Sequence, residues 1–326
     1  MQAIDTDLIH NLDRPLQDDV LYTEYFALHE QPFQLTPDCE YFFSHPSAQD
    51  AMNKLLFATR TGEGFIKVTG EVGTGKTLLC RTFLDALDEH YLTAYVPNPY
   101  MEPMTLLLAI ADELSIEYRQ PVNQHELLKK LTNFLIESYR QSGKTVVICL
   151  DEVHAMPLAS MEVLRLLSNL ETAKRKLIQL VLFGQPELNS RLEQASIRQL
   201  RQRISFSACL HTLSLAETQD YIHHRLTVAG HSGPRLFSLA AVKRIWRYSH
   251  GVPRLINILC HKSLIATYAE GRQRVSLKQV QLAIEDTDTL SGPAKKSSYE
   301  LMRNYLGLLA VGSVLTALLS WWVNMT

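Results

Sequence analysis

A glycine-rich segment with one lysine and one threonine is the part of this sequence whose residue types most directly indicate chemistry. Residues 70–77 read Gly-Glu-Val-Gly-Thr-Gly-Lys-Thr, which matches the pattern GxxxxGK followed by serine or threonine. In such a loop the glycines let backbone N–H groups wrap around phosphates, and the helix that follows adds partial positive charge. The lysine reaches the β- and γ-phosphates, and the hydroxyl after it is a ligand of Mg²⁺. The sequence therefore predicts that ATP is bound by Gly70, Glu71, Val72, Gly73, Thr74, Gly75, Lys76 and Thr77.

A pair of acidic residues supplies the second half of the same chemistry. Asp151 and Glu152 directly follow the continuous apolar run 145–150. A carboxylate at the end of such a strand is suited to holding Mg²⁺ through water, and a second one to polarising the attacking water. We therefore expect Asp151 to bind nucleotide and, with Thr77, the metal ion, and Glu152 to act as the catalytic base of ATP hydrolysis.

Two further polar residues stand where they would face the phosphates. Gln185 follows the predicted strand 177–183, so that its side chain is expected to touch the γ-phosphate or the attacking water. The alternative is an ordinary turn, for which Gly184 and Pro186 are typical. Arg254 opens a predicted helix after Gly-Val-Pro and is expected to bridge that helix to the phosphates. The alternative here is a helix start marked by proline with the arginine exposed.

A cluster of arginines lies just before the predicted strand 204–210. Arg198, Arg201 and Arg203 are close together in sequence, and one of them is placed to act on the ATP of a neighbouring subunit as an arginine finger. We select Arg203 for this catalytic role and leave Arg201 open. The alternative is a solvated basic helix face.

The elements that must position these residues alternate between strands and helices. Continuous apolar strands that alternate with helical stripes predict an α/β fold, a parallel sheet covered by helices. From Ser214 onward the apolar spacing is helical throughout, which predicts an all-α lid. The predicted organisation is a flexible tail (1–21), an ATPase core (22–211), a helical lid (212–288), a polar linker (289–304) and a transmembrane helix (305–323).

The membrane assignment depends on charge and length. Tyr305 to Val323 is nineteen residues without a charge, and a helix of that length spans about 28 Å, close to the hydrocarbon core of a bilayer. The alternative is a buried core helix. Lys295, Lys296 and Arg303 precede the segment, so the positive-inside rule places the ATPase domain in the cytoplasm with a single C-terminal anchor.

Composition excludes other classes. The 326 residues are 46% apolar and 20% charged, which is typical of a globular chain. A net charge of −2 disfavours nucleic-acid binding as the main role. The odd number of scattered cysteines, without a CxxC pair, indicates reduced thiols and no zinc site. Among the twelve histidines, the adjacent His223 and His224 are expected on a solvated surface, and no metal pattern is present.

Several motifs together resemble one known family. The glycine-rich loop and the Asp151-Glu152 pair occur with Gly184-Gln-Pro-Glu-Leu188, Gln199-Leu-Arg-Gln-Arg-Ile204 and Gly251-Val-Pro-Arg-Leu-Ile-Asn257. With Gln31-Pro-Phe33 and Leu35-Thr-Pro-Asp38 near the start, the combination is similar to the ExeA/GspA group of AAA+ ATPases over roughly residues 22–288. Within that group it most resembles the MshM-type ATPases of MSHA (type IV) pilus biogenesis.

The resemblance implies an AAA+ P-loop NTPase fold and a role for each motif. It implies that Arg254 is sensor 2, that Gln185 lies in the sensor 1 region, that an arginine near Arg203 is the finger, and that the segment Gln31 to Asp38 packs near the adenine. It also implies a homo-oligomer, a ring such as a hexamer, that works with pilus or secretion assembly proteins at the bacterial inner membrane.

Three functions fit these patterns. The first is a membrane-tethered ATPase whose ATP hydrolysis drives assembly of a type IV pilus or a type II secretion machine. The second is a DNA-acting AAA+ ATPase of the transposition-helper or initiator type, which carries the same sensor motifs. The third is a nucleotide-dependent scaffold with negligible turnover. A turnover assay separates the third from the first, and a salt-dependent DNA-binding test separates the second.

Overall fold

A parallel sheet forms the centre of the described chain. The computed structural model describes residues 22–119, 121–170, 176–194 and 197–290. Within these ranges the sheet has five strands in the order β2-β3-β4-β1-β5, and every neighbouring pair is parallel. The strands are β1 (Phe65–Gly70), β2 (Tyr91–Val96), β3 (Thr145–Leu150), β4 (Ile178–Gly184) and β5 (Ile204–Leu210).

The burial of each strand follows its place in the sheet. All seven residues of β4 are buried and five of the six in β3, because helices cover both faces of the sheet at these strands. Strand β5 lies at the edge, and exposed and less exposed residues alternate along it. A continuous apolar sequence therefore marks the centre of the sheet, as the sequence predicted.

Two groups of helices cover the sheet. On one side, Leu55 of α1 packs with Leu79 and Phe83 of α2. On the other side, Leu106 and Leu131 belong to the core formed by α3, α4 and α5. The helices of this α/β core are α1 (Pro46–Thr61), α2 (Lys76–Asp85), α3 (Pro103–Glu113), α4 (Gln124–Ser142), α5 (Leu158–Leu167), α6 (Glu187–Leu192) and α7 (Arg198–Arg201), with short 3₁₀ turns at Cys39–Tyr41 and Val153–Ala155.

The chain after β5 is helical in the described residues, as the apolar spacing predicted. Ser214 caps the first of these helices, and its hydroxyl and the Glu217 carboxylate form a reciprocal capping box. The chain through Val280 forms one compact unit, and Gln281 begins a second, described as far as Leu290. The helices are α8 (Leu215–Val228), α9 (Leu239–Ser249), α10 (Pro253–Ala269) and α11 (Leu277–Leu290).

The parallel sheet covered by helices confirms the α/β part of the predicted fold. Among the described residues, no helix combines the length and the apolar character that crossing a bilayer requires. The predicted tail at 1–21 and the predicted transmembrane helix at 305–323 lie outside the described residues. Of the predicted linker at 289–304, the structure describes only residues 289 and 290.

Candidate nucleotide-binding site

The glycine-rich loop joins β1 to α2, at the carboxyl ends of the central strands. Gly73 and Gly75 have backbone φ angles of 78° and 95°, values that residues with a side chain rarely adopt. A Cβ on Gly73 would lie 2.8 Å from the Cβ of Arg254, so glycine there also permits the start of α10 to approach the loop. The backbone N–H of Arg254 donates to the carbonyl of Gly73 at 3.2 Å. The loop and α10 are therefore in direct contact.

Lys76 lies inside the loop with only 4% of its surface exposed. Its ammonium group donates to the carbonyls of Gly70 and Glu71, both at 2.9 Å. Burial lowers the pKa of Lys76, while the nearby Glu152 and Asp151 carboxylates oppose that shift. A triphosphate in the loop offers this lysine anionic oxygens in place of neutral carbonyls, which favours the charged form.

Thr77 and Asp151 meet where α2 begins and β3 ends. The threonine hydroxyl donates to Oδ2 of Asp151 at 2.5 Å, and the backbone N–H of Glu152 donates to Oδ1 at 2.8 Å. Burial raises the pKa of Asp151 despite these two hydrogen bonds, and the Glu152 charge acts in the same direction. A hydroxyl and a carboxylate are hard oxygen donors, the kind that Mg²⁺ prefers, so the residues present fit that ion.

Glu152 and Gln185 lie side by side at the ends of β3 and β4. The side-chain amide of Gln185 donates to Oε2 of Glu152 at 3.3 Å. His154 also reaches this carboxylate, with Nε2 at 3.5 Å from the same oxygen. The sequence predicted Glu152 and Gln185 as site residues, whereas His154 escaped notice because a lone histidine after an acidic pair matches no metal spacing.

A cavity of about 320 Å³ connects the loop with the helical segment and the N-terminal segment. Its size falls at the lower end of the range for small-molecule sites. The predicted adenine-side residues that line it are Gln34 to Asp38, and Arg254 lines the same cavity from α10. From the loop and the acidic pair, the lining residues are Val72, Gly73, Thr74, Gly75, Lys76, Thr77 and Glu152.

Gly251 sets the course of the chain into α10. Its φ is 74°, and a Cβ there would lie 2.0 Å from the carbonyl oxygen of Leu213. The N–H of Leu213 donates to the carbonyl of Gly251 at 2.8 Å. Only glycine fits this close approach, which directs Pro253 and Arg254 toward the phosphate-binding loop.

Arg225 of α8 is a buried cation that the sequence analysis missed. It is 5% exposed, and Nε donates to the carbonyl of Pro32 at 2.5 Å. Its guanidinium lies 4.5 Å from the ring centroid of Tyr41 and donates to the hydroxyl of Tyr221 at 3.1 Å. Among the described residues no carboxylate lies in salt-bridge contact with Arg225. The available signal was an arginine four residues after Tyr221, on the apolar face of a predicted helix.

The arginine cluster lies elsewhere on the core. Arg203 donates to the hydroxyl of Ser168 at 2.8 Å and also to the side-chain oxygen of Asn169, just after α5. Arg201 is exposed. The structure thus brings Lys76, Thr77, Asp151, Glu152, Gln185 and Arg254 together within one chain, while Arg203 contacts the end of α5.

The expectation that His223 and His224 both lie on a solvated surface is wrong for His224. His223 is exposed, but His224 packs on Phe43, with ring centroids 5.5 Å apart. Burial lowers the pKa of His224, and Arg225 acts in the same direction. Adjacent residues on a helix point in different directions, so one faces solvent and the other faces the N-terminal segment.

Comparison with known proteins supports the same class of site. Residues 59–192 match the family model described as AAA domain. General secretion pathway protein A of Aeromonas hydrophila is 35% identical over 302 residues, which is 93% of this chain and 54% of that protein. The chain thus spans about half the length of this curated relative.

Solved structures of lower identity share the fold. Drosophila ORC bound to DNA has a TM-score of 0.62 at 17% identity and is matched over 87% of this chain and 69% of that chain. Cdc6p from Pyrobaculum aerophilum has a TM-score of 0.59 at 16% identity, over 77% and 71% of the two chains. Aeropyrum pernix ORC2, solved as ADPNP-ADP complexes, has a TM-score of 0.55 at 18% identity, over 76% and 71%.

The fold, the phosphate-binding loop and the matched AAA domain define an AAA+ P-loop ATPase. Within that class the chain is similar to General secretion pathway protein A over 93% of its own length, which supports an ATPase of the ExeA/GspA type. This similarity agrees with the resemblance found from the sequence motifs.

Proposed function

We propose that this chain hydrolyses ATP with Mg²⁺ at the cavity beside the phosphate-binding loop, and that the free energy drives assembly of a secretion machine or a type IV pilus at the bacterial inner membrane. The observation that carries the enzymatic part is the contact between Thr77 and Asp151, with Lys76 and Glu152 beside them. The cation for the phosphates, the oxygen ligands and the base all meet at one sheet edge.

Each residue has a distinct task in this proposal. Lys76 exchanges its two carbonyl acceptors for the β- and γ-phosphate oxygens. Thr77 and Asp151 hold Mg²⁺, which when bound neutralises charge on the phosphates. Glu152 orients the attacking water and accepts its proton.

Two side chains complete the site from neighbouring elements. Gln185 donates to Glu152 from the end of β4, and in this proposal its side chain faces the γ-phosphate. Arg254 approaches from α10, whose backbone already contacts Gly73. This contact holds Arg254 beside the phosphate-binding loop, where sensor 2 is expected to act.

The proposed oligomer is a ring, a hexamer being one such form. Arg203 lies at the end of α5, away from the loop of its own chain, where it contacts Ser168. We propose that it faces the ATP of the adjacent subunit and stabilises charge in the transition state.

The cellular role is argued from the relative and from the sequence. The printed name of the Aeromonas hydrophila relative places it in general secretion. The uncharged stretch Tyr305 to Val323, with Lys295, Lys296 and Arg303 before it, is suited to a single span with the ATPase domain in the cytoplasm. Motif likeness to the MshM-type ATPases favours the MSHA-type pilus among the possible machines.

The test is Mg²⁺-dependent ATP turnover by the purified full-length protein, compared with Glu152→Gln. We expect the variant to bind ATP with unchanged affinity and to lose turnover by at least about 100-fold, because the base is lost while Lys76 stays. Glu137→Gln makes the same chemical change on the exposed surface of α4 and should match the native protein. Turnover that is absent from the native protein would establish a scaffold, and near-native turnover in Glu152→Gln would place the base elsewhere.

A further inference from the structure

The carboxylate of Glu152 is held by a closed set of contacts. Its Oε2 accepts from the Gln185 side chain at 3.3 Å and lies 3.5 Å from Nε2 of His154. The backbone N–H of Gln185 donates to Nδ1 of the same imidazole at 3.4 Å. Glu152, His154 and Gln185 therefore form a ring of contacts that joins the end of β3 to the end of β4.

The donor at Gln185 determines the tautomer of His154. A backbone N–H only donates, so Nδ1 must accept, and the proton of the neutral imidazole lies on Nε2. That N–H faces the Glu152 carboxylate. The imidazole thus lies between the backbone N–H after β4 and the proposed catalytic base, with Nε2 3.5 Å from Oε2 of Glu152.

The backbone around His154 is fixed on both sides. Glu152 has a φ of 53°, in the left-handed region that non-glycine residues seldom occupy. After it, the guanidinium of Arg191 donates to the carbonyl of His154 and, at 2.5 Å, to that of Met156. The imidazole is largely covered, with 18% of its side chain exposed. The short 3₁₀ turn therefore presents His154 in one direction, toward Glu152.

Both contacts fall on the same carboxylate oxygen. Among the described residues, the Gln185 amide and the His154 imidazole both contact Oε2 of Glu152. Oε1 of Glu152 is therefore left for the attacking water. Two donors on one oxygen restrict rotation of the carboxylate, which favours a single direction for the second oxygen. A water bound to Oε1 would be oriented through groups that belong to two different strands.

We propose that His154 is a positioning residue for Glu152: its Nε2–H, set by the backbone N–H of Gln185, aims the carboxylate at the water. The inference rests on the proposed function, in which Glu152 is the base. In this arrangement the orientation of the Glu152 carboxylate depends on the backbone at the end of β4. A shift of Gln185 on binding the γ-phosphate would therefore also turn Glu152.

Two substitutions separate the two nitrogens of His154. His154→Gln places an amide N–H near the position of Nε2, whereas His154→Asn places an amide oxygen near Nδ1 and does not reach Glu152. We expect His154→Asn to lower kcat on the order of tenfold, the effect of one hydrogen bond in the transition state, with KM for ATP unchanged. His154→Gln should restore kcat to within about threefold of native.

The two variants are measured beside Glu152→Gln and a surface control, His223→Asn on the exposed side of α8. Equal kcat in both His154 variants, or an effect on KM instead of kcat, overturns the role of His154. If Glu152→Gln keeps native turnover, the proposed function itself fails, whatever His154 does. Thermal unfolding midpoints check that the variants are folded.

A third variant keeps the test decisive if His154→Asn does not fold. Gln185→Leu removes the side-chain donor to Glu152 and keeps the backbone N–H that faces Nδ1 of His154. The proposal expects a lower kcat with the affinity for ATP retained. Unchanged kcat in this variant contradicts the view that donors on Oε2 direct the carboxylate.

Discussion

The hydroxyl of Thr77 donates a hydrogen bond of 2.5 Å to Oδ2 of Asp151, across 74 residues of sequence. The bond joins the first turn of α2 to the end of β3. The two residues meet because β1 and β3 run parallel in one sheet, so that the segments after both strands emerge at the same edge. This contact holds the two proposed Mg²⁺ ligands side by side.

The first prediction concerns that hydroxyl. Thr77→Val keeps the shape of the side chain and removes the oxygen, so we expect turnover to fall at least about tenfold and to need more Mg²⁺. Thr82→Val is the matched control, because the Thr82 hydroxyl donates to the Leu78 carbonyl within α2. Turnover is measured against MgCl₂ concentration. A native Mg²⁺ dependence in Thr77→Val would remove Thr77 from the proposed metal site.

The second prediction concerns Lys76. Lys76→Ala removes the buried cation between the carbonyls of Gly70 and Glu71, and we expect the affinity for ATP to fall at least about 100-fold. Lys54→Ala removes an exposed lysine that pairs with Asp50 in α1, and this variant should bind ATP as the native protein does. Isothermal titration with ATP compares the three proteins. An unchanged affinity in a folded Lys76→Ala protein would contradict the assignment of the loop.

Local sequence patterns were sufficient for the central sheet and for the loop. The predicted strands 145–150 and 204–210 have the bounds found in the structure, and Gly143 ends α4 with a φ of 67°. A strand buried on both faces is a continuous apolar run, and its ends are marked by the residues that stop it. The phosphate-binding loop needs a strand before it and a helix after it, and both signals are local.

Contacts between distant segments could not be predicted in this way. Arg225 and Pro32 are 193 residues apart, and no periodicity in either segment indicates that they meet. His154 likewise depends on Gln185, which reaches it only through the pairing of β3 with β4. An isolated arginine or histidine has several ordinary explanations in a sequence, and only its three-dimensional neighbours decide between them.

The third prediction follows from the buried guanidinium of Arg225. Arg225→Met should lower the free energy of unfolding by about 2–4 kcal/mol, because the carbonyl of Pro32 and the hydroxyl of Tyr221 lose their donor inside the protein. We also expect weaker ATP binding, since Arg225 and the segment that it holds line the cavity.

Arg235→Met is the control for this prediction, because Arg235 is exposed. Arg225→Lys should recover only part of the stability, since an ammonium lacks the planar fork that reaches the carbonyls of Pro32 and Gln34 and the hydroxyl of Tyr221. Denaturant unfolding and ATP titration measure the two effects. If Arg225→Met unfolds as the Arg235→Met control does, Arg225 does not hold the N-terminal segment.

The fourth prediction tests catalysis between subunits. Arg203→Ala should lower hydrolysis on the order of 10³-fold while ATP binding to each subunit stays intact, because a finger acts only on the transition state. Arg201→Ala is the matched comparison, since which of the two arginines is the finger is open. The larger loss of turnover identifies the finger.

Mixing the mutants separates a finger from a structural arginine. Lys76→Ala subunits cannot bind ATP but still carry Arg203, so adding them to Arg203→Ala subunits should restore part of the turnover. Differently tagged subunits show by co-purification that the two mutants assemble together. If they do and no turnover returns, Arg203 acts within its own chain, and its contact with Ser168 is structural.

The fifth prediction concerns the segment Tyr305 to Val323, which lies beyond the described residues. If it is a membrane anchor, the full-length protein sediments with membranes and resists extraction by carbonate, and deletion of residues 300–326 releases a folded protein that still binds ATP. Leu308→Lys with Leu315→Lys tests the same point without shortening the chain, since each charge in a span costs about 2.5–3.5 kcal/mol. A lysine in the predicted linker, Ser297→Lys, leaves membrane binding intact if the anchor is the cause. Native protein that stays in the soluble fraction, or a truncated protein that unfolds, would instead make the segment a core helix.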